Sequence, residues 1–272
     1  MKKFSSLLHN LILTPSRNTK IKLLQDYFKI LDINRAYALA ILSDQLSFQF
    51  IKASKLRELV YEQVDQHLFD YSYDYVGDLA ETISLIWPTN KEGKSQNLST
   101  LIENIKKIKK SEINTEFSKV LSELSNNERW TLIKICTGGL RIGVSERLVK
   151  TALADLYNKS VNEIEEIWHG LEFPYENLFQ WLKNETSKPK IDFKKLFHPM
   201  MLANPIDEEK DFKRLDANEF QAEYKWDGIR VQLMVSSNSV SLYSRTGDNI
   251  SSAFPEIIET TKGDAVIDGE LP

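Results

Sequence analysis

At 272 residues the chain is long enough for about two domains, and with 42% hydrophobic and 27% charged residues it can bury a core and is not a disordered tail. Its apolar runs fall short of the roughly 18 residues that a membrane span needs. A single cysteine, Cys136, forbids an internal disulfide and fits a reducing cytoplasm, and four scattered histidines offer no zinc-ligand spacing. The net charge of −4 is unevenly spread: residues 196–272 carry 7 Lys+Arg against 14 Asp+Glu, which leaves 28 against 25 for residues 1–195. An acidic segment therefore follows a mildly basic one, and a domain boundary is expected between them.

In chain order, Phe4, Leu7, Leu8, Leu11 and Ile12 recur at the spacing of one helix face, so the lysine-led start reads as an amphipathic helix that Pro15 closes, not as a secretory leader. Ile21, Leu24, Phe28 and Leu31 make a second stripe, and Asp32 is placed to cap a third helix with Tyr37, Ala40 and Ile41. Further stripes run over 56–69, 76–87, 101–108, 117–124, 130–135, 148–157 and 164–168, with Thr100 and Glu103 spaced as a capping box. Trp87, Trp130, Trp168 and Trp181 lie on apolar stripes and are expected in the core. Short polar joints such as 89–96 separate them. Residues 1–185 are thus expected to form an all-helical domain, and 186–195, polar and containing Pro189, a linker.

Beyond the linker the period changes to two. Val231, Leu233 and Val235 alternate, as do Val240 and Leu242, with Ser236–Asn238 as the turn of an antiparallel hairpin. Residues 254–261 suit one short helix and 265–271 a further strand. The second segment is α+β.

Three motifs in this segment carry chemistry. In residues 223–230, E-Y-K-W-D-G-I-R, Lys225 is expected where a first strand gives way to a turn at Asp227 and Gly228. A lysine is a nucleophile only when its amine loses its proton near neutral pH, and Arg230 on the following strand or a bound metal would supply the positive charge that favours this. Alone, K-x-D-G also describes a surface lysine in a β-turn. Residues 244–247, S-R-T-G, set Arg245 beside exposed backbone N–H groups, which suits a phosphate or an ordinary basic turn. Residues 267–271, I-D-G-E-L, read as an acidic turn within an apolar strand, with Glu270 available to a ribose hydroxyl or a metal. In the first segment, residues 138–149, G-G-L-R-I-G-V-S-E-R-L-V, place Gly138, Gly139, Arg141 and Gly143 before Ser145, a candidate helix cap. Arg141 there suits a phosphate contact or a solvated turn.

In this order and spacing the motifs resemble the covalent nucleotidyltransferases, and E-Y-K-x-D-G-x-R most resembles the first motif of ATP-dependent DNA ligases. The P-M-M-L-A-N-P of residues 199–205, the T-P-S-R-N-T-K of residues 14–20 and the G-G-L-R-I-G-V-S stretch are similar to segments of ligases with a helical DNA-binding domain, including bacterial ones. The resemblance implies an all-α DNA-binding domain followed by the start of an α+β adenylation domain with antiparallel strands. It implies ATP and Mg2+ (or Mn2+) as cofactors, and nicked duplex DNA as partner of a monomer in the bacterial cytoplasm, at the nucleoid. Lys225 would become a lysyl-AMP, Glu223 would recognise adenine, and Arg230 and Arg245 would meet sugar and phosphates. Glu270 would meet the ribose or the metal, while Gly138, Gly139, Arg141, Gly143 and Ser145 would meet DNA. No E-G-h-x-x-K (h apolar) or K-x-K motif and no OB-fold follows, so residues 196–272 are expected to be an incomplete adenylation domain in a fragment of a longer parent. The alternatives are a non-catalytic DNA-binding module and an RNA ligase or capping-type enzyme.

Overall fold

The computed structural model describes every residue except 47–49, 89–95, 169, 191–196, 199, 202, 217, 222, 237–238, 246 and 248. The chain forms two compact units, Met1–Ile164 with Glu172–Ser187, and Glu165–Leu171 with Lys188–Pro272. The main division falls inside the stretch read as a linker. Residues 165–171 group with the second unit, where Glu166 pairs with Lys188.

The helices are α1 (Lys2–Leu13), α2 (Arg17–Phe28), α3 (Asn34–Leu42), α4 (Ala53–Tyr61), α5 (Gln66–Val76), α6 (Leu79–Ile86), α7 (Leu98–Lys106), α8 (Ile113–Glu123), α9 (Asn126–Thr137), α10 (Glu146–Tyr157), α11 (Val161–Trp168) and α12 (Glu176–Leu182). Their apolar stripes meet as periodicity requires: α2 packs on α1 and α10, and α9 on α1 and α6. Phe4, Leu8, Leu11, Leu24, Phe28 and Phe117 are completely buried or nearly so. Trp87, Trp168 and Trp181 are buried as expected, whereas Trp130 is only half-buried, with the Lys134 ammonium 5.9 Å from its ring centre.

Local chemistry sets boundaries that the stripes do not reveal. The 56–69 stripe is broken because the Asp65 carboxylate accepts the Leu68 N–H at 3.0 Å and starts α5. Gly77, at φ +73°, ends α5, and Asp78 restarts the chain as α6 by accepting the Glu81 N–H at 2.9 Å. Asp32 accepts the Asn34 N–H at 2.8 Å, but it stands one residue ahead of the N-cap of α3, which is Ile33, so it turns the chain into the helix without capping it as expected. Thr100 and Glu103 do not form a capping box, because α7 already begins at Leu98 and both residues lie inside it. Glu103 instead accepts from the Tyr37 hydroxyl at 2.8 Å. The capping box belongs to Ser125 and Glu128, at the start of α9. The joint over 89–95 lies outside the described residues.

The second unit contains α13 (Glu208–Asp211), β1 (Ile229–Ser236), β2 (Ser239–Ser244), α14 (Pro255–Thr260) and β3 (Ala265–Leu271). The sheet order is β2-β1-β3, both pairs antiparallel, with Leu233 opposite Leu242 and Ile267. The hairpin, short helix and third strand match the alternation in the sequence; residues 237–238 of the turn lie outside the described residues. Two expectations fail. No strand precedes Asp227 among the described residues: Glu223, Tyr224 and Lys225 are irregular and exposed, and β1 starts only after Gly228. Asp268, Gly269 and Glu270 are not a turn but three consecutive residues of β3, held by the ladder to β1.

Candidate functional site

In the second unit, strand alternation sorts side chains onto two faces. Val231, Leu233 and Val235 share one face, and Arg230, Gln232 and Met234 the other, where Arg230 lies opposite Glu270 and Gln232 opposite Asp268. Gln232 is buried and clasps the backbone of His198, donating to its carbonyl at 2.9 Å and accepting its N–H at 2.6 Å. Phe197 packs beside it with its ring 5.9 Å from that of Tyr243. The segment just ahead of P-M-M-L-A is thereby laid along the polar face of the sheet; Pro199 and Leu202 lie outside the described residues.

Arg230 reaches diagonally to Asp268 through two hydrogen bonds, Nε to Oδ1 at 3.1 Å and a terminal nitrogen to Oδ2 at 2.8 Å. That fork raises the Arg230 pKa and holds the Asp268 carboxyl below its ordinary range. Its charge is therefore already matched, and it is not the unbalanced cation that the sequence pattern assigned to lowering the lysine pKa. The Lys225, Glu223 and Arg245 side chains make no hydrogen bond or ion pair among the described residues, while Glu270, opposite Arg230 and also adding to the field that raises its pKa, makes no hydrogen bond with its side chain there. Lys225 is flanked by Tyr224 and Trp226, which are 89% and 69% exposed, with ring centres 6.3 Å apart. Arg245 follows the end of β2 and is exposed. The Gly247 N–H donates to the Ser244 carbonyl at 3.0 Å and is not a spare phosphate donor, which corrects the reading of S-R-T-G. Thr246 lies outside the described residues.

Gly228 explains the D-G of the lysine motif. A Cβ built there would stand 2.0 Å from the Leu271 carbonyl oxygen, a backbone atom that cannot swing aside. Glycine thus lets the chain leaving Lys225 join β1 while β3 stays paired. Gly228→Ala should destabilise the second unit by about 2–3 kcal/mol. Amide hydrogen exchange of β3 checks it: protection equal to wild type would show that the overlap is relieved elsewhere.

Among the described residues no group of three or more His, Cys, Asp or Glu side chains is placed to hold a metal ion. With Asp268 engaged, Glu270 is one carboxylate. That fits a magnesium ion that arrives on nucleotide phosphates, which commonly takes only one or two protein carboxylates.

In the first unit Gly138 caps α9 at φ +73°, and the chain then turns through Arg141 at φ +44° and Gly143 at φ +63° before α10. Arg141 is exposed, and a left-handed conformation at a side-chain-bearing residue costs of order 1 kcal/mol or more, a cost that tends to gather at binding loops. Gly139 opens on empty space, so no close approach is made at it among the described residues. Ser145 caps α10 as expected, accepting the Leu148 N–H at 3.3 Å. Beside it lies an open groove of about 510 Å³ lined by Pro15, Arg17, Lys20, Gly143, Ser145 and Leu148. The first turns of α2 and α10 meet there. Arg17 and Lys20 lie in the T-P-S-R-N-T-K stretch that the resemblance marks, but the sequence reading gave neither a role. Their signal was legible: cations in the first turns of a helix oppose its dipole and are kept for another reason.

Residues 1–154 match the family model "DNA ligase N terminus", and residues 200–271 match "ATP dependent DNA ligase domain". The chain belongs to the ATP-dependent DNA ligase family. It is 37% identical over 147 residues to the DNA ligase of Nitrosopumilus maritimus, a stretch covering 52% of this chain and 25% of that protein. It is 32% identical over 164 residues to a probable DNA ligase of Koribacter versatilis, covering 56% and 27% respectively. To the DNA ligase of Thermococcus onnurineus it is 24% identical over 227 residues, 76% of this chain and 40% of that one. The chain thus spans well under half the length of these relatives.

Proposed function

We propose that the chain supplies the duplex-binding domain and the nucleotide-accepting start of an enzyme that seals nicks in DNA with ATP. The observation that carries this reading is Lys225, exposed and unpartnered among the described residues immediately ahead of β1, with Arg230 and Glu270 facing each other across the next strand pair. The Lys225 amine attacks the α-phosphorus of ATP, a phosphoramide bond forms and pyrophosphate leaves. The AMP passes to the 5′-phosphate at the nick, and the 3′-hydroxyl then displaces it. Glu223 recognises adenine, Arg230 and Arg245 meet the sugar and phosphates, and Glu270 meets the ribose or the magnesium (or manganese) ion. The metal supplies charge stabilisation at phosphorus. The same reading makes the protein a monomer of the bacterial cytoplasm, working at the nucleoid. Incubation with α-labelled ATP tests it: a labelled protein band that requires Lys225 is expected, and none forming in the protein as its gene encodes it would overturn the reading.

The loop Gly138, Gly139, Arg141 and Gly143, with Ser145, binds phosphates without reading sequence in this proposal. Arg141→Ala should weaken binding to all duplexes alike, about three- to tenfold, and lower the salt slope of log K by about 0.9, one phosphate contact. Fluorescence anisotropy over a salt series checks this, and a loss confined to some sequences would exclude a phosphate role. The match of residues 1–154 to a DNA ligase N terminus weighs against an RNA ligase or capping enzyme. A second reading, a DNA-binding module without catalysis by these 272 residues alone, is favoured by β3, where Val266 and Ile267 are each 50% exposed.

A further inference from the structure

Lys20 belongs to α2, but its side chain ends on another element. Its ammonium donates to the carbonyl of Ile142 at 3.2 Å and to that of Gly143 at 2.9 Å. These two carbonyls lie beside the groove at the start of α10. Left bare, they would present the negative ends of two peptide dipoles to anything entering it. The seat is shaped for the lysine: a Cβ at residue 143 would stand 2.7 Å from Lys20 Nζ, so glycine there leaves the ammonium room. An ammonium has three donors, and two are used.

We propose that Lys20 is a positioning residue for duplex binding, resting on the reading that the 138–145 loop meets DNA phosphates. It does not serve as a phosphate ligand. It ties the loop to α2 across 122 positions of sequence, holds the turn through Arg141 and Gly143, and neutralises two carbonyls that would repel a phosphate. A basic residue in the first turns of α2 is thereby accounted for by an intramolecular contact. Arg17, at the first position of α2 and lining the same groove, remains the cation available to the ligand there.

The two roles for a groove lysine differ in a measurable way. Removing a phosphate contact lowers the salt slope of log K by about 0.9, whereas removing a positioning contact weakens binding with the slope nearly unchanged. Binding of the 272-residue chain to a nicked duplex of mixed sequence is measured by anisotropy over a salt series. Limited trypsin cleavage after Arg141 reports the order of the loop, and circular dichroism confirms folding. Lys20→Met should weaken binding about tenfold with a slope within about 0.3 of wild type, and should speed the cleavage about tenfold. Lys20→Arg should stay within about twofold of wild type in both readouts, because a guanidinium fork also spans two carbonyls. A slope lowered by about 0.9 in Lys20→Met, or cleavage equal to wild type with weakened binding, overturns the proposal alone. Failure of the wild-type chain to bind any duplex overturns the DNA reading beneath it; Arg141→Ala, measured alongside, tells the two apart by its own slope.

Discussion

Lys225→Arg should eliminate the covalent protein–AMP species as completely as Lys225→Ala, a fall of more than about 10³-fold in labelling. Arginine preserves the positive charge and most of the reach but does not release a proton near neutral pH, so it has no lone pair to offer phosphorus. A lysine that only steadied a phosphate would tolerate the exchange with a modest loss. Equal loss in both variants separates nucleophilic from electrostatic service. The measurement is label from α-labelled ATP that survives alkali and is released by acid, as a phosphorus–nitrogen bond to lysine requires, in the protein as its gene encodes it; labelling that persists in Lys225→Arg sinks the assignment. The pairing of Arg230 with Asp268 sharpens the expectation. With Arg230 bound to Asp268, charge at phosphorus is left chiefly to the metal that accompanies the nucleotide, so label should depend steeply on divalent metal.

The helical half was legible because each helix buries one face, and burial writes a 3.6-residue period into the sequence. What periodicity does not encode is where a stripe stops. The 56–69 stripe became two helices because one carboxylate, Asp65, captures a backbone N–H, and Thr100 and Glu103 form no capping box because α7 had already started ahead of Thr100, whereas Ser125 and Glu128 stand at the start of α9. In the second unit, alternation marked β1, β2 and β3, since one face of the hairpin is apolar. The D-G-E triplet looked like a turn because glycine between two acids usually makes one. Here it is a strand, since the carboxylates alternate onto the polar face opposite Gln232 and Arg230 while Gly269 lies opposite Val231. The lysine motif marked the residues of the candidate site but not their surroundings: an irregular, exposed Lys225 and an Arg230 already paired are tertiary facts. Lys20 was hidden for the same reason, since its partners lie more than a hundred residues away.

Replacing Arg129 should cost the first unit as much stability as emptying part of its apolar core. Its side chain is completely buried on α9 and gathers carbonyls from three places: Leu121 at 2.8 Å, Ser84 at 2.8 Å and Leu124 at 2.9 Å. It therefore stitches the ends of α6 and α8 to the start of α9. Burial lowers its pKa to about 10, so the guanidinium remains charged at neutral pH. The carbonyls offset its desolvation, and the cation in turn satisfies helix-end carbonyls that water does not reach. In Arg129→Met the volume is nearly kept, but at least three buried acceptors lose their donor, and a loss of about 3–5 kcal/mol is expected. Arg129→Lys keeps the charge without the planar fork and should recover less than half of that loss. Urea unfolding of residues 1–187, followed by the helical circular dichroism signal, measures both. A loss under about 1 kcal/mol in Arg129→Met would mean that the freed carbonyls find water or other donors, and that α6, α8 and α9 are held by apolar packing alone.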